Sequence, residues 1–264
     1  MADPSLAARL WEARRTGGVV DAATVVLPAT LDEAYAIQAE MTALSGAAII
    51  GFKVGSTSIE AQRMLGTTEP GAAPMLAPYA WASPALVPIS AGHMPAVEGE
   101  FAFRLAADLP ARAAPYARAE VMDAVAAVAG AIEVVGTRFA GGLAGKGRLL
   151  TTADGGVNIG FVAGTWTTAW RDLDLPAHAV AMTINGIARG SGTGARALGD
   201  PINVLVWAAN KLSTLGRGLR AGEVVSTGTC TGLDDVRPGD RAVADFGSLG
   251  RVEISFTDLC AAAV

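Results

Sequence analysis

One stretch constrains the fold of this chain more than any other. In AVEGEFAFRL, residues 96–105, apolar and charged side chains alternate. Successive side chains of a strand point to opposite faces, so Val97 and Phe101 share one face while Glu98 and Glu100 share the other. The two glutamates are then about 7 Å apart along the strand. The pattern predicts a strand with one face in an apolar core and two neighbouring carboxylates on its other face.

The remaining sequence predicts an α+β fold. Thr30 and Glu33 have the spacing of a capping box, and Gly46 follows the last periodic residue, so a helix is predicted between them. The pair Asn185-Gly186 predicts a hairpin. Further helices are predicted at 1–15, 58–66, 118–131 and 200–216, and strands at 47–56, 131–138, 222–232, 240–246 and 251–256. Loop with short strands is predicted at 67–95, and a mobile loop at 139–160.

Composition excludes several classes of protein. The chain has 264 residues, 51% hydrophobic, which is enough for a core, and no repeat or linker divides it. We therefore expect one domain over 1–264, with a mainly helical portion at 1–70 and a mixed β core at 71–264. A net charge of −5 provides no basic surface for nucleic acid, and no apolar run reaches the length of a membrane helix. Cys230 and Cys260 form no disulfide framework, so we expect a cytoplasmic protein.

A third glutamate lies in a predicted strand. Glu133 sits in AIEVVG, where its neighbours are apolar. Buried carboxylates are unfavourable because they repel one another and lose their hydration. A divalent cation such as Mg²⁺ or Mn²⁺ removes both difficulties, since hard ions prefer carboxylate oxygens. Glu98, Glu100 and Glu133 are therefore candidate metal ligands, and the alternative for Glu98 and Glu100 is a solvated strand face.

Several motifs, taken in order, resemble one known family. They are GFKVGSTS, VEGEFAFRL, AIEVVGTR, TADGG, GSGTGARALGDPINVLVWAANKL and GLRAGEVVSTGTCTG. From about Leu31 to Phe256 the sequence resembles the 2-keto-4-pentenoate hydratases, which belong with the 4-oxalocrotonate decarboxylases to the fumarylacetoacetate hydrolase superfamily. The resemblance implies an α+β fold built on a mixed β-sheet roll with packed helices, in a homo-oligomer.

The resemblance also implies a catalytic centre. Glu98, Glu100 and Glu133 would hold Mg²⁺ or Mn²⁺, and Lys53 would be the family's glycine-flanked lysine. A 2-keto acid can chelate such an ion, which stabilises the enolate formed when a proton or CO₂ leaves. Lys53 lies between two apolar residues, which favours a buried catalytic lysine over the alternative of a surface lysine.

Two further residues are candidate substrate ligands. By resemblance, Thr229 in the turn 226–232 would contact substrate oxygens, and the alternative is an ordinary glycine-rich turn. Arg138 follows Glu133 at the spacing seen in the family and would bind a carboxylate. The alternative for Arg138 is a structural ion pair.

The sequence departs from the family where protons and substrate are handled. The hydratases usually have Gln-Pro-Asp where this chain has Glu69, Pro70 and Gly71, so the aspartate that is a candidate general base is missing. Glu69 would replace it from a nearby position, unless it is an exposed loop residue. Val157 stands where the family supplies a substrate-binding serine, and the loop 139–150 is longer than usual.

The sequence therefore predicts a metal-dependent lyase that acts on a small 2-keto acid through an enolate. Hydration is the first candidate reaction, and 4-oxalocrotonate-type decarboxylation is the second. A divergent scaffold subunit without turnover and a structural β-rich protein are the alternatives. Hydrolysis is disfavoured because neither His93 nor His178 has a glutamate beside it in a matching motif. The expected partners are the 2-keto acid and further copies of the chain, with no nucleic acid and no membrane.

Overall fold

The computed structural model describes residues 4–259, which form two β-sheets with helices packed against the larger one. The helices are α1 (Leu6–Thr16), α2 (Leu31–Ser45), α3 (Ile59–Leu65), α4 (Arg118–Asp123), α5 (Gly147–Ala153) and α6 (Pro201–Thr214). The strands are β1 (Ile49–Gly55), β2 (Gly71–Leu76), β3 (Ala80–Ala82), β4 (Ala85–Ile89), β5 (Ala96–Leu105), β6 (Val125–Val135), β7 (Asn158–Ala163), β8 (Ala179–Ile184), β9 (Ile187–Thr193), β10 (Val224–Thr229), β11 (Asp234–Asp235), β12 (Arg241–Asp245) and β13 (Arg251–Asp258). The predicted mixed α+β architecture is confirmed.

The larger sheet has the strand order β2-β1-β10-β5-β6-β7-β3, and β11 pairs with β5 outside this path. Some neighbouring strands in this sheet pair in parallel, as β1 does with β10, and others pair antiparallel, as β5 does with β6. The smaller sheet has the order β4-β13-β12-β8-β9 and packs against β5, β6 and β7. Strand β5 therefore lies in the interior of the molecule, with a partner strand on each side.

The two faces of β5 separate the apolar core from the carboxylates, as the alternation predicts. Phe101 is fully buried between the sheets and packs edge-on against Phe246, with ring centroids 5.6 Å apart. Phe246 also covers Gly130 of β6, where a Cβ would lie 2.3 Å from the ring. Glycine at this position therefore allows the two sheets to approach. Glu98 and Glu100 lie on the opposite face of β5.

Helix α2 begins and ends where its capping residues predict. Thr30 Oγ1 accepts a hydrogen bond from the Glu33 amide, and Glu33 Oε2 accepts one from the Ala29 amide. Gly46 ends α2 with a φ of 62°. Helices α1 and α2 meet α5 around a small apolar cluster, which consists of Leu6, Ala7, Leu10, Ala13, Val20, Met41 and Phe139.

The helix predicted over 118–131 is wrong in its second half. Helix α4 ends at Asp123, and β6 begins at Val125. The first half of β6 pairs with β5, and nearly all of its residues are buried. Alanine and valine fit both helices and strands in such a run, so pairing and burial decide the conformation rather than intrinsic propensity.

The short strands predicted within 67–95 are present, whereas the segment 139–160, predicted to be a loop, contains regular structure. Residues 67–95 include β2, β3 and β4, and β3 and β4 pair with β7 and β13, which are distant in sequence. Residues 139–160 include α5 and the start of β7. The predicted strands β1, β10, β12 and β13, helix α6 and the Asn185-Gly186 hairpin are confirmed.

Within 4–259, no helix combines the length and the apolar character needed to cross a membrane. Cys230 is buried as a free thiol, and Cys260 lies outside the described residues. The expected single domain over 1–264 also includes residues that are not described, and it stays a prediction.

Candidate metal centre and cavity

Three glutamates form a cluster on adjacent strands of the larger sheet. Glu98 on β5 is directly opposite Glu133 on β6, and Glu100 lies two residues further along the same face of β5. One carboxylate oxygen from each residue lies within 4.8 Å of the other two. Glu100 and Glu133 are fully buried, whereas Glu98 is partly exposed. The antiparallel register of β5 and β6 therefore brings the three predicted ligands together.

The oxygens of this cluster fit a hard cation. Glu100 Oε1 and Glu133 Oε2 are buried and accept no hydrogen bond from the described residues. Ser226 Oγ donates to the other oxygen of Glu100, and Asn158 Nδ2 donates to Glu133 Oε1 at 2.8 Å. Buried acceptors without donors are unfavourable, and Mg²⁺ and Mn²⁺ take such carboxylate oxygens as ligands.

Without a metal, the cluster retains protons near neutral pH. Burial, followed by repulsion from Glu133, raises the pKa of Glu98 to about 7. Burial, followed by repulsion from Glu133 and Glu98, raises the pKa of Glu100 well above its usual range. Because carboxylates ligate metals in the ionised form, a bound cation must displace these protons.

We therefore expect the affinity for Mg²⁺ to fall as the pH decreases below about 7, the pKa of Glu98. Each proton that competes with the metal lowers the apparent affinity by about tenfold per pH unit below its pKa. Calorimetric titrations with Mg²⁺ near pH 6 and near pH 8 would measure this change. An affinity that is the same at both values would contradict the prediction.

Lys53 on β1 is buried beside the cluster. Its Nζ lies 3.2 Å from Glu133 Oε2. Burial alone lowers the pKa of the ammonium group, but the carboxylates of Glu133, Glu98 and Glu100 together outweigh this effect and raise the pKa above its ordinary value. Lys53 is therefore mainly in its positively charged form at neutral pH.

A buried polar network supports Glu133 from behind. Asn158, which donates to Glu133, accepts hydrogen bonds at its own carbonyl from Arg14 and from Arg138 Nη1, the latter at 2.9 Å. Arg138 Nε pairs with Asp154 Oδ1 at 2.5 Å, and both side chains are fully buried. This network connects α1, the segment after β6 and the start of β7, so it holds Glu133, a predicted metal ligand, in place.

A cavity of about 320 Å³ adjoins the cluster. Lys53 and Glu98 line one part of it, and Arg148 at the start of α5 also lines it. Much of the rest is apolar and includes Met64, Leu65, Ala72, Val135, Leu143 and Val157. The volume lies within the usual range for small-molecule sites. The cavity therefore suits a small organic acid that has an apolar chain.

The structure does not bring Glu69 to this cavity, in contrast to its predicted catalytic role. Its carboxylate forms an ion pair with Lys211 Nζ at 2.8 Å, and its side chain is 39% exposed. Glu69 is not among the residues that line the cavity. The ion pair with Lys211 on α6 holds the carboxylate outside the cavity, and a catalytic role for Glu69 stays a prediction.

Arg138 is not among the residues that line the cavity, and its contact with substrate stays a prediction. All three of its nitrogens donate within the protein, to Asp154 and to the carbonyls of Gly136 and Asn158. Asp154 also accepts hydrogen bonds from the Thr137 hydroxyl and the Arg138 amide. Arg138 therefore forms the ion pair that the sequence left as the alternative.

Thr229 lies opposite Glu100 in the pairing of β10 with β5. Its Oγ1 accepts a hydrogen bond from the Gly232 amide at 2.8 Å and so closes the turn. Its contact with substrate stays a prediction. His93 and His178 bond to the carbonyls of Gly18 and Phe246, and neither pairs with a glutamate in the described part of the chain.

Sequence reasoning missed three residues of this site. Ser226 lies in the turn singled out above, but only the position of β10 beside β5 reveals its bond to Glu100. Asn158 is the one polar side chain of the apolar strand NIGFVA, and this contrast could have identified it. Arg148 lies in a segment predicted to be loop, and no local pattern marks it.

Comparison with known proteins agrees with this geometry. The family model described as fumarylacetoacetate (FAA) hydrolase C-terminal matches residues 60–257. The 2-keto-4-pentenoate hydratase of Burkholderia vietnamiensis is 34% identical over 261 residues, covering 96% of this chain and 97% of the relative. The corresponding hydratase of Paraburkholderia xenovorans is 32% identical over 251 residues, covering 94% of this chain and 92% of the relative.

Among solved structures, the 4-oxalocrotonate decarboxylase of Pseudomonas putida G7, in complex with magnesium and adipate, has the same fold. Its TM-score is 0.84 and its identity is 24%, over 95% of each chain. The family match covers most of the chain, and the sequence relatives align over nearly their full length. The chain thus belongs to the fumarylacetoacetate hydrolase family and is a relative of the 2-keto-4-pentenoate hydratases.

Proposed function

We propose that this protein is a divalent-metal-dependent lyase that acts on a small 2-keto acid through an enolate, with hydration as the first candidate reaction. The observation that carries the proposal is the cluster of Glu98, Glu100 and Glu133, in which two buried oxygens accept no hydrogen bond and one of them lies 3.2 Å from Lys53 Nζ. The cluster adjoins a cavity of suitable size. The hydratase names of the sequence relatives support the same class of reaction.

The three glutamates would hold Mg²⁺ or Mn²⁺. When bound, such an ion supplies Lewis acidity, which stabilises the negative charge that develops on the keto oxygen. The magnesium in the related decarboxylase structure supports this assignment. Asn158 and Ser226 orient Glu133 and Glu100 by hydrogen bonds, as outer partners of metal ligands usually do.

Lys53 would stabilise the enolate and donate a proton to it. Its ammonium group lines the cavity and is kept protonated by the neighbouring carboxylates. A positive charge that is already in place beside a developing anion needs no reorganisation during the reaction. Proton donation by a positioned side chain typically contributes 10²- to 10⁴-fold to the rate.

One feature favours decarboxylation as the second candidate. Hydration needs proton transfer to and from the substrate, whereas loss of CO₂ needs mainly an electron sink. Glu98 is the only carboxyl group among the residues that line the cavity, and Gly71 supplies none where the hydratases usually have an aspartate. A scaffold subunit without turnover would bind the metal and convert neither substrate.

We also infer a homo-oligomer in the cytoplasm, in which Thr229 contacts substrate oxygens. Thr229 lies beside Glu100 in the sheet, which supports its assignment. Met64 and Leu233 line the cavity and are 80% and 54% exposed, so an assembly that covers them would also enclose the substrate. The molecular mass in solution, measured with and without Mg²⁺, tests the assembly.

The proposed function is tested without knowledge of the natural substrate. Oxalate, a mimic of the enolate, is expected to bind only in the presence of Mg²⁺ or Mn²⁺ when followed by calorimetry. The same protein is expected to exchange the C3 protons of 2-ketobutyrate with D₂O, which proton NMR detects. Metal binding without exchange would support the scaffold subunit, and the absence of metal binding would reject the proposal.

Replacing Lys53 by methionine separates its two effects. The loss of its positive charge is expected to strengthen Mg²⁺ binding, because Lys53 Nζ now lies 3.2 Å from an oxygen of Glu133. The exchange of C3 protons is expected to slow by about 10²- to 10⁴-fold. Lys211→Met is the matched control, because Lys211 pairs with Glu69 outside the cavity. Weaker metal binding in Lys53→Met would contradict the assigned role.

A further inference from the structure

Arg148 lines the cavity but has no role in the reaction proposed above. It is the second residue of α5, and its guanidinium lines the cavity that Lys53 and Glu98 also line. Helix α5 is anchored from behind, since Gln38 Nε2 donates to the Thr152 carbonyl at 2.9 Å. Arg148 is therefore carried by a fixed element.

A glycine makes room for this guanidinium. A Cβ at Gly71 would lie 2.3 Å from Arg148 Nη1 and 2.5 Å from its Cζ, so the guanidinium occupies the space of a side chain at that position. A positive charge thus lies where a side chain of residue 71 would otherwise lie.

Arg148 and Lys53 lie beside neighbouring residues of β1 and β2 in the larger sheet. Gly71 pairs with Gly55, and a Cβ at Gly55 would lie 3.1 Å from Lys53 Nζ. Directly opposed Cβ positions are about 5 Å apart, so the two cationic groups are at most about 11 Å apart. Apolar residues such as Ala72 and Val157 also line this cavity. The site therefore offers two positive groups with an apolar surface nearby, which suits a short chain that is charged at both ends.

The guanidinium lacks a charged partner. Nη2 donates to the Pro70 carbonyl at 2.5 Å, but the buried Nε makes no hydrogen bond. No carboxylate in residues 4–259 forms a salt bridge with Arg148. An arginine fork binds carboxylates well, and a buried donor without an acceptor is unfavourable. An anionic ligand in the cavity would neutralise the charge of the guanidinium.

We propose that Arg148 binds the second carboxylate of the substrate, so that this enzyme prefers 2-keto dicarboxylates to 2-keto monocarboxylates. The inference rests on the proposed function, because the 2-keto carboxylate end would occupy the site at Glu98, Glu100 and Glu133. Gly71 determines this specificity together with Arg148, since any larger residue there would displace the guanidinium.

The test measures binding to the complete protein with Mg²⁺ present. Calorimetry compares 2-ketoadipate and 2-ketoglutarate with 2-ketobutyrate, and oxalate reports the metal end alone. Wild type is expected to bind at least one of the dicarboxylates roughly 10- to 100-fold more tightly than 2-ketobutyrate, as for a hydrogen bond to a charged group. Arg148→Met is expected to abolish this preference and leave oxalate binding unchanged. Arg220→Met, which removes an exposed arginine beyond the site, keeps the preference.

A second variant tests the same site while retaining the arginine. Gly71→Asp places a carboxylate against the guanidinium, and it is expected to abolish the preference by occupying Arg148. If wild type shows no preference, or if Arg148→Met retains it, the role of Arg148 is overturned while the metal site stands. If oxalate fails to bind wild type with Mg²⁺, the proposed function itself fails and the inference fails with it.

Discussion

Glu98→Gln is expected to lower the affinity for Mg²⁺ by at least about 100-fold and to abolish the metal-dependent binding of oxalate. The change removes one of three anionic ligands. Even at an effective dielectric constant of about 20, one charge a few ångströms from a divalent ion contributes several kcal/mol. Glu100 and Glu133 accept hydrogen bonds from Ser226 and Asn158, so substitution at Glu98 disturbs the sheet least. Calorimetric titration of both proteins with Mg²⁺, with and without oxalate, measures the effect.

The same variant is expected to be at least as stable as wild type when the metal is removed. The pKa of Glu98 in the folded protein is about 7, above its ordinary 4.5, so the folded state holds more protons between these values. Metal-free wild type therefore loses stability as the pH rises through this range, and Glu98→Gln lacks this loss. Thermal unfolding with a chelator present, at several pH values, checks the sign.

Glu253→Gln is the control for this substitution, because Glu253 pairs with Arg241 on the smaller sheet and not with the cluster. It is expected to leave metal affinity and metal-free stability unchanged. Unchanged Mg²⁺ affinity in Glu98→Gln would show that the carboxylates are not a chelation site. If Glu98→Gln were unfolded at neutral pH, the expected relief of repulsion among the three carboxylates would be contradicted.

Arg138→Met is expected to lower the free energy of unfolding by about 3–5 kcal/mol, the usual cost of breaking a buried ion pair from one side. Both partners are fully buried, and the methionine would leave Asp154 as an unpaired charge. Asn158 would lose a donor at its carbonyl, which loosens the support of Glu133. Urea denaturation of the metal-free protein measures the loss.

Two further variants test this interpretation of Arg138. Arg251→Met breaks an exposed pair with Asp245 and is expected to cost no more than about 1 kcal/mol. Adding Asp154→Asn to Arg138→Met is expected to restore part of the stability, because no buried charge then remains unpaired. If Arg138→Met kept wild-type stability and weakened only oxalate binding, Arg138 would be a substrate ligand after all.

Much of the metal centre could be predicted from local sequence. The period of two in residues 96–105 places Glu98 and Glu100 on one face without any knowledge of neighbouring strands. Glu133 stood out because a carboxylate in an apolar strand needs a partner. Lys53 is noticeable for the same reason, because a lysine between two apolar residues of a predicted strand is expected to be buried.

The two arginines show where sequence reasoning ended. Arg138 lies near Glu133 in a recognised motif, and it was assigned to the substrate. Arg148 lies in a segment predicted to be loop, and it was not assigned. In the structure Arg138 pairs with the buried Asp154, whereas Arg148 lies against Gly71 and lines the cavity. Both contacts join residues that are distant along the chain or lie on separate elements, and no periodicity reports them.

By itself the sequence determined which face β5 presents, where α2 begins and ends, and which carboxylates are available for a metal. These properties depend on residues close together in the chain, where helical and strand periods and capping residues act directly. Only the tertiary structure decided that 125–131 form a strand and that Glu98 lies opposite Glu133. It also decided which cations face the cavity. Those outcomes depend on strand pairing and burial between distant residues, which compete with local preference and in this protein outweigh it.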